Sequence, residues 1–343
     1  MIAFPPTETL PGAALAELDA IAARLKAASP ADTVACAYGA GPDVLAWRDE
    51  SDGRWFDLAS LTKPLFMAPT ALGLLAAPGA LDEPISTTLA WLPQAPGTPT
   101  PRALLTHATG LPWELPAAGD AAAVRGWVAE HVRAVDPAEV RVLYSDVNYW
   151  LLGELACALA GEPLHALFAR APTAASGAFR FGEAPADRSV AAGPLAGDVR
   201  LTHDPAARRL GPSGHAGAFG TLAGVVDAVL SWLDGEWLPA SLAAAALACQ
   251  THATPGGHRS LAWTLAGDPF HVVAHDWPTT TLSHTGFTGV SVALDPVSRW
   301  WAVYLSNAIP VERDADPILV ARRRFHAAAA AHLRATTRDP SLI

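Results

Sequence analysis

Apolar residues recur at helical spacing through an alanine-rich run at 12–28, which stops near Pro30. Two short apolar segments follow, 33–38 and 44–48, joined by the turn-rich stretch Gly39-Ala40-Gly41-Pro42. A linker of that length predicts a pair of hairpin strands. From Ser60 onward the pattern turns helical; Pro64 is tolerable in a first turn, and Pro69 predicts a kink or stop. Up to about residue 250, helical patterns alternate with Pro/Gly-rich loops, with helices expected at 101–107, 121–133, 149–159, 164–169, 223–233 and 238–248. The character changes near residue 258. Segments 259–265, 290–294 and 300–306 are rich in Trp, Val, Leu and Tyr and read as antiparallel strands. A long helix over 317–335 closes the pattern.

Two strands at the front and three at the back predict one sheet assembled from both chain ends. The expected fold is α/β, an antiparallel sheet flanked by helices, with an inserted all-α domain. Residues 1–63 and 251–343 would build the sheet domain and 64–250 a mainly helical one, with the active site in the cleft between them.

Composition narrows the class. With 51% hydrophobic and 16% charged residues in 343, the chain can bury a large core. Its net charge is −10 and it carries no Lys/Arg run, which argues against nucleic acid as a partner. Cys36, Cys157 and Cys249 are far apart and odd in number, so buried free thiols are expected rather than a disulfide framework. Histidines are plentiful but lack ligand spacing, and neither metal nor cofactor is expected. The apolar stretch 65–81 is broken by Pro69 and Pro78, too short for a bilayer span of about 20 residues. The first residues show no secretory pattern. The expected compartment is therefore the cytoplasm, or the periplasm if a leader precedes this sequence.

Ser60-Leu61-Thr62-Lys63 places a hydroxyl and an amine on one helix face, where the lysine can activate the serine. Lys63 and Lys26 are the only lysines of the chain. Three more patches carry polar groups. In Leu143-Tyr144-Ser145-Asp146, either Ser145 or Asp146 can cap the following helix. Tyr144 can present its phenol to a cleft, where a nearby cation would lower its pKa and make it a general base. Ser283-His284-Thr285-Gly286-Phe287-Thr288-Gly289 combines polar handles with glycines that permit close approach of a substrate, or forms a simple hairpin edge. The run from Leu104 to Pro112 reads as a helix end with a glycine stop, His107 satisfying local backbone groups.

Together these patches resemble the serine β-lactamase-like superfamily: penicillin-binding peptidases, class C β-lactamases and related serine esterases. The family pattern is Ser-x-x-Lys, Tyr-x-Asn, then Lys/His-Thr-Gly, here at Ser60–Lys63, Tyr144–Asp146 and His284–Gly286. The Leu-Leu-Thr-His-Ala-Thr-Gly-Leu-Pro run, the run from Gly214 to Thr221 and the preceding His203-Asp204-Pro205 also look like family signatures. The resemblance spans about residues 33–335. It implies Ser60 as the acylated nucleophile and Lys63 and Tyr144 as the acid/base pair, either of them the base. His284, Thr285 and Gly286 would line the cleft, and the backbone N–H groups of Ser60 and Phe287 would form the oxyanion hole.

Two departures matter. Asp146 replaces the usual asparagine; a carboxylate only accepts hydrogen bonds, and it would hold Lys63 charged and shift the base role toward Tyr144. His284 replaces the more common lysine and is neutral or partly charged near pH 7, weakening recognition of a substrate carboxylate. Loop-stabilising roles are expected for His203, Asp204 and His215. The expected function is a serine hydrolase acting through an acyl-enzyme on a small ester or amide, esterase- or peptidase-like. The alternatives are a D,D-peptidase or β-lactamase of the cell envelope, and a catalytically silent homologue that binds a ligand or partner. Oligomeric state is not written in the sequence.

Overall fold

The computed structural model describes residues 3–28, 33–171, 178–183, 201–211, 213–235, 238–273, 276–308 and 316–337. Eight strands occur among them: β1 (Val34–Ala40), β2 (Asp43–Asp49), β3 (Phe56–Asp57), β4 (Phe179–Phe181), β5 (Ala218–Gly220), β6 (Leu282–Thr285), β7 (Ser291–Leu294) and β8 (Trp300–Ser306). The larger sheet has the order β2-β1-β8-β7-β6 and is antiparallel throughout. Its centre joins the two chain ends, with Val34 opposite Ser306 and Ala40 opposite Trp300.

Side chains alternate across a strand, and both faces of this sheet are covered. Val34, Cys36 and Tyr38 of β1, with Ala302 and Tyr304 of β8, pack against Leu18, Ile21, Phe325 and Leu333 of the terminal helices Gly12–Ala28 and Asp316–Thr336. Ala35 and Ala37, with Trp301, Val303 and Leu305, face the larger core shared with the central helices. This double burial explains why these strands read as nearly continuous apolar runs.

The middle of the chain is helical but not purely so. β3, β4 and β5 form a second, three-stranded sheet in the order β3-β5-β4, which the sequence pattern did not predict. Two or three residues per strand are too few for alternation to register. Segment 259–265 is another departure: it is held only by isolated bridges, Arg259 to Thr264 and Thr264 to Ser283, and extends the β6 edge as an irregular turn. The strand beside it is Leu282–Thr285, which carries the His-Thr pair itself. Of the three free cysteines, Cys36 is buried, while Cys157 and Cys249 are partly exposed. The predicted helix stop near Pro30 lies outside the described residues.

Pro69 does not end the helix after Ser60. That segment has three pitches in succession: a 3-10 turn over Ala59–Leu61, a π-helix over Lys63–Met67 and an α-helix over Ala68–Leu74. The wide turn, closed from the Ala68 N–H to the Lys63 carbonyl, lets Pro69 enter in the first turn of the α segment, where a missing N–H costs nothing.

Candidate active site

The chain reaches Ser60 through a strained turn. Ala59 has φ of 45°, a left-handed conformation that a residue with a Cβ rarely adopts. The buried Asp57 carboxylate holds it there. Its Oδ1 accepts from the Ala59 N–H at 2.8 Å, and its Oδ2 from the His203 N–H at 2.6 Å and the Thr202 hydroxyl at 3.1 Å. Burial raises the pKa of Asp57, and these donors oppose the rise. Sequence reasoning passed over this residue; the available signal was a lone carboxylate inside the apolar run Phe56-Asp57-Leu58-Ala59.

Around Ser60 the three family motifs converge. The Ser60 Oγ lies 2.9 Å from Lys63 Nζ and 2.7 Å from the Tyr144 hydroxyl. Lys63 is fully buried; its ammonium donates to Ser60 Oγ and to the His215 carbonyl at 2.8 Å, and is ion-paired with Asp146 Oδ1 at 2.7 Å. Burial alone would lower its pKa; the charge and hydrogen bond from Asp146, with a contribution from Tyr144, keep it above the ordinary lysine value. The Lys63 amine also stands 5.0 Å from the Tyr144 ring centroid.

Tyr144 corrects one expectation. The neighbouring cation does pull its pKa down, but burial is the larger effect and the net shift is upward. The resting phenol is protonated near neutral pH.

The placement of Tyr144 and Asp146 settles the capping question left open by the sequence. Ser145 caps the helix Asp146–Ala160, accepting from the Asn148 N–H, which leaves the Asp146 carboxylate for Lys63. The Thr-His-Ala-Thr-Gly run is the cradle of this segment. His107 sits at φ 59°, its carbonyl accepts from the Leu143 N–H at 2.9 Å, and its Nδ1 accepts from the Ser145 N–H at 3.1 Å. The Trp113 carbonyl takes the Asp146 N–H at 2.7 Å, and Thr109 holds Asn148 at 2.8 Å. Burial and nearby cations push His107 well below its ordinary pKa, so it is neutral.

β6 brings the third motif in from the sheet edge. Gly286 is required by space: a Cβ there would stand 2.5 Å from Val290 Cγ2 and 2.8 Å from the Leu58 carbonyl. The close approach lays Phe287 beside the Ser60 turn. The backbone N–H groups of Ser60 and Phe287 make no hydrogen bond among the described residues. His284 is buried, and burial together with the charges of Lys63 and Arg259 sends its pKa well below the ordinary value. Its Nδ1 lies 2.8 Å from the Thr285 carbonyl, which can only accept. Nδ1 therefore carries the proton, and Nε2 is an acceptor.

The model of the Beta-lactamase family matches residues 18–325. The chain belongs to the beta-lactamase family. Solved structures share the fold at low identity. A beta-lactamase from Sulfitobacter sp. EE-36 is 19% identical with a TM-score of 0.71, covering 97% of this chain and all of that one. A beta-lactamase/D-alanine carboxypeptidase from Pseudomonas syringae is 18% identical with a TM-score of 0.68, covering 91% and 98%. EstCE1, a hydrolase with promiscuous acyltransferase activity, is 18% identical with a TM-score of 0.65, at the same coverages. No curated protein sequence matches this chain. The beta-lactamase family is one of serine hydrolases, and here its motifs stand on the antiparallel α/β scaffold expected from the sequence.

Two charged residues at the site carried no motif. Arg259 and Asp268 form a buried ion pair at 2.7 Å, and the Arg259 guanidinium lies 5.6 Å from the Phe270 ring, itself 5.7 Å from Tyr144. A single cation, Arg259, just ahead of the apolar run Leu261-Ala262-Trp263 was the signal for it.

Proposed function

We propose that this protein is a serine esterase that works through an acyl-enzyme on Ser60 and prefers uncharged esters. The observation that carries this reading is the Ser60 Oγ held between Lys63 Nζ at 2.9 Å and the Tyr144 hydroxyl at 2.7 Å. Lys63, held as an ammonium by the Asp146 carboxylate, has no lone pair to offer and serves as a fixed positive charge. Tyr144 takes the Ser60 proton as its phenolate, the minor form that Lys63 favours and burial opposes. The freed alkoxide adds to the substrate carbonyl. The Ser60 and Phe287 N–H groups stabilise the tetrahedral oxygen, a contribution of about 10²–10³ in rate per donor. Tyr144 returns the proton to the leaving alkoxide, and water repeats the sequence to release the acid.

Preference for uncharged substrates is supported by His284, which offers a lone pair where the family's lysine offers a cation. The rim points the same way. The exposed aromatic residues among those described are Trp113, Phe270 and Phe287, and all three border the motifs. They suit an apolar acyl or alcohol group.

Hydrolysis of a short-chain p-nitrophenyl ester tests the reading. Wild-type protein turns it over and Ser60→Ala does not; full activity in Ser60→Ala would overturn the assignment.

A further inference from the structure

One of the two acceptors of the Lys63 ammonium is the backbone carbonyl of His215, and the side chain of the same residue is fixed on both sides. His215 is buried; its Nδ1 lies 2.6 Å from the Ser213 hydroxyl and its Nε2 3.0 Å from Asp204 Oδ1. A carboxylate can only accept, so Nε2 carries a proton toward Asp204. Asp204 also caps the short helix Pro205–Leu210, accepting from the Ala207 N–H at 2.7 Å. Gly214 lets this loop press against its neighbours: a Cβ there would stand 2.2 Å from the Tyr149 carbonyl. Serine, histidine and aspartate thus form a hydrogen-bonded line resembling a hydrolytic triad. Ser213, however, is buried and cannot be reached by substrate.

We propose that Asp204, His215 and Ser213 form a positioning relay for Lys63: the clamped imidazole fixes the carbonyl that holds the ammonium, and the Asp204 carboxylate lends it negative field. Lys63 and Asp204 are joined through one residue: the His215 carbonyl accepts from the ammonium at 2.8 Å, and the His215 Nε2 lies 3.0 Å from Asp204 Oδ1. Burial would raise the Asp204 pKa, but the hydrogen bond and charge from His215, with a smaller contribution from Lys63, hold it well below the carboxylate range. Asp146 meets Lys63 directly, Asp204 only through His215.

The other groups that face Lys63 are accounted for. Tyr144 and Tyr149 present their rings at 5.0 and 5.7 Å, and neutral His107 and His284 feel its charge together with that of Arg259. None of these bonds to the His215 carbonyl.

Because the chain has two lysines, Lys63 can be followed directly. In full-length protein labelled with 13C,15N-lysine, Lys26→Arg assigns the two side-chain signals. The relay predicts that Asp204→Asn lowers the Lys63 titration midpoint by about half a pH unit or more, as expected on losing a nearby opposite charge. Asparagine retains the cap, so the fold is preserved. His215→Ala should lower the midpoint as well, with kcat for a neutral ester reduced and KM within about twofold. A loop that is merely structural would leave the midpoint in place. Midpoints of Asp204→Asn equal to wild type would overturn the relay. This proposal rests on the acyl-enzyme reading only for its kinetic arm; activity surviving in Ser60→Ala would overturn that reading and leave the lysine titration to decide the relay.

Discussion

Asp146 Oδ1 stands 2.7 Å from Lys63 Nζ, and the lysine is fully buried there. A buried ammonium needs a counter-charge, since isolated burial costs several kcal/mol. The carboxylate provides it and favours the charged form of Lys63, which is why the proposed mechanism gives the base role to Tyr144.

Removing that counter-charge has a distinct signature. Asp146→Ala should destabilise the fold by about 3–5 kcal/mol, the usual result of breaking a buried pair from one side. Asp146→Asn should be milder and should lower the Lys63 pKa. The sign follows from the folded state: Lys63 is raised above its unfolded value, so its contribution is complete below about pH 10.4 and is lost above the folded pKa. Urea denaturation of the three proteins at pH 7 measures the loss of stability. At pH 10, still below the window in which wild type loses the Lys63 contribution, the wild-type margin over Asp146→Ala should persist. Equal stability of wild type and Asp146→Ala would contradict them.

In the proposed mechanism Tyr144 sets the pH dependence of catalysis. Its pKa is raised, so the phenolate fraction grows about tenfold per pH unit from neutrality toward pH 10. For an uncharged ester, kcat/KM should climb along that slope and show no limb near pH 6.5, because His284 is already neutral. Tyr144→Phe should lose about 10²–10⁴ in kcat. A flat profile between pH 7 and 9 would assign the base elsewhere.

Asp57 offers a test of the strained turn. Asp57→Ala would strand the donors of Ala59, His203 and Thr202, each worth about 1–3 kcal/mol when left buried and unsatisfied. A large loss of stability together with loss of activity is expected, and Asp57→Asn should recover part of both. Thermal unfolding and ester hydrolysis report the two quantities separately.

At Gly286 the prediction is one of position alone. The Cβ of Gly286→Ala would displace β6 from the Leu58–Ala59 backbone. A shift on the order of 1 Å in the oxyanion donors costs roughly 10²-fold in rate. The expected outcome is a protein that folds, with kcat reduced by that factor.

The large sheet was legible because β1 and β8 are long, doubly buried and bounded by turn residues. The Ser-x-x-Lys, Tyr-x-Asp and His-Thr-Gly motifs were legible because their residue types and order are specific. What escaped depended on contacts between distant segments. Asp57 reaches Thr202 and His203 across about 145 residues, and no local spacing encodes that. The π-turn at Lys63–Met67 escaped because Pro64 and Pro69 read as breaks when only α-helical pitch is considered. The fall expected for the Tyr144 pKa failed because charge proximity can be read from a motif, whereas depth of burial cannot.

The proposed mechanism requires a covalent acyl-enzyme on Ser60, and intact-mass measurement after brief exposure to a fluorophosphonate, followed by peptide mapping, reads out that nucleophile. One adduct per chain is expected, on the peptide containing Ser60, and none in Ser60→Ala. An adduct on any other residue, or undiminished labelling of Ser60→Ala, would rule Ser60 out as the nucleophile.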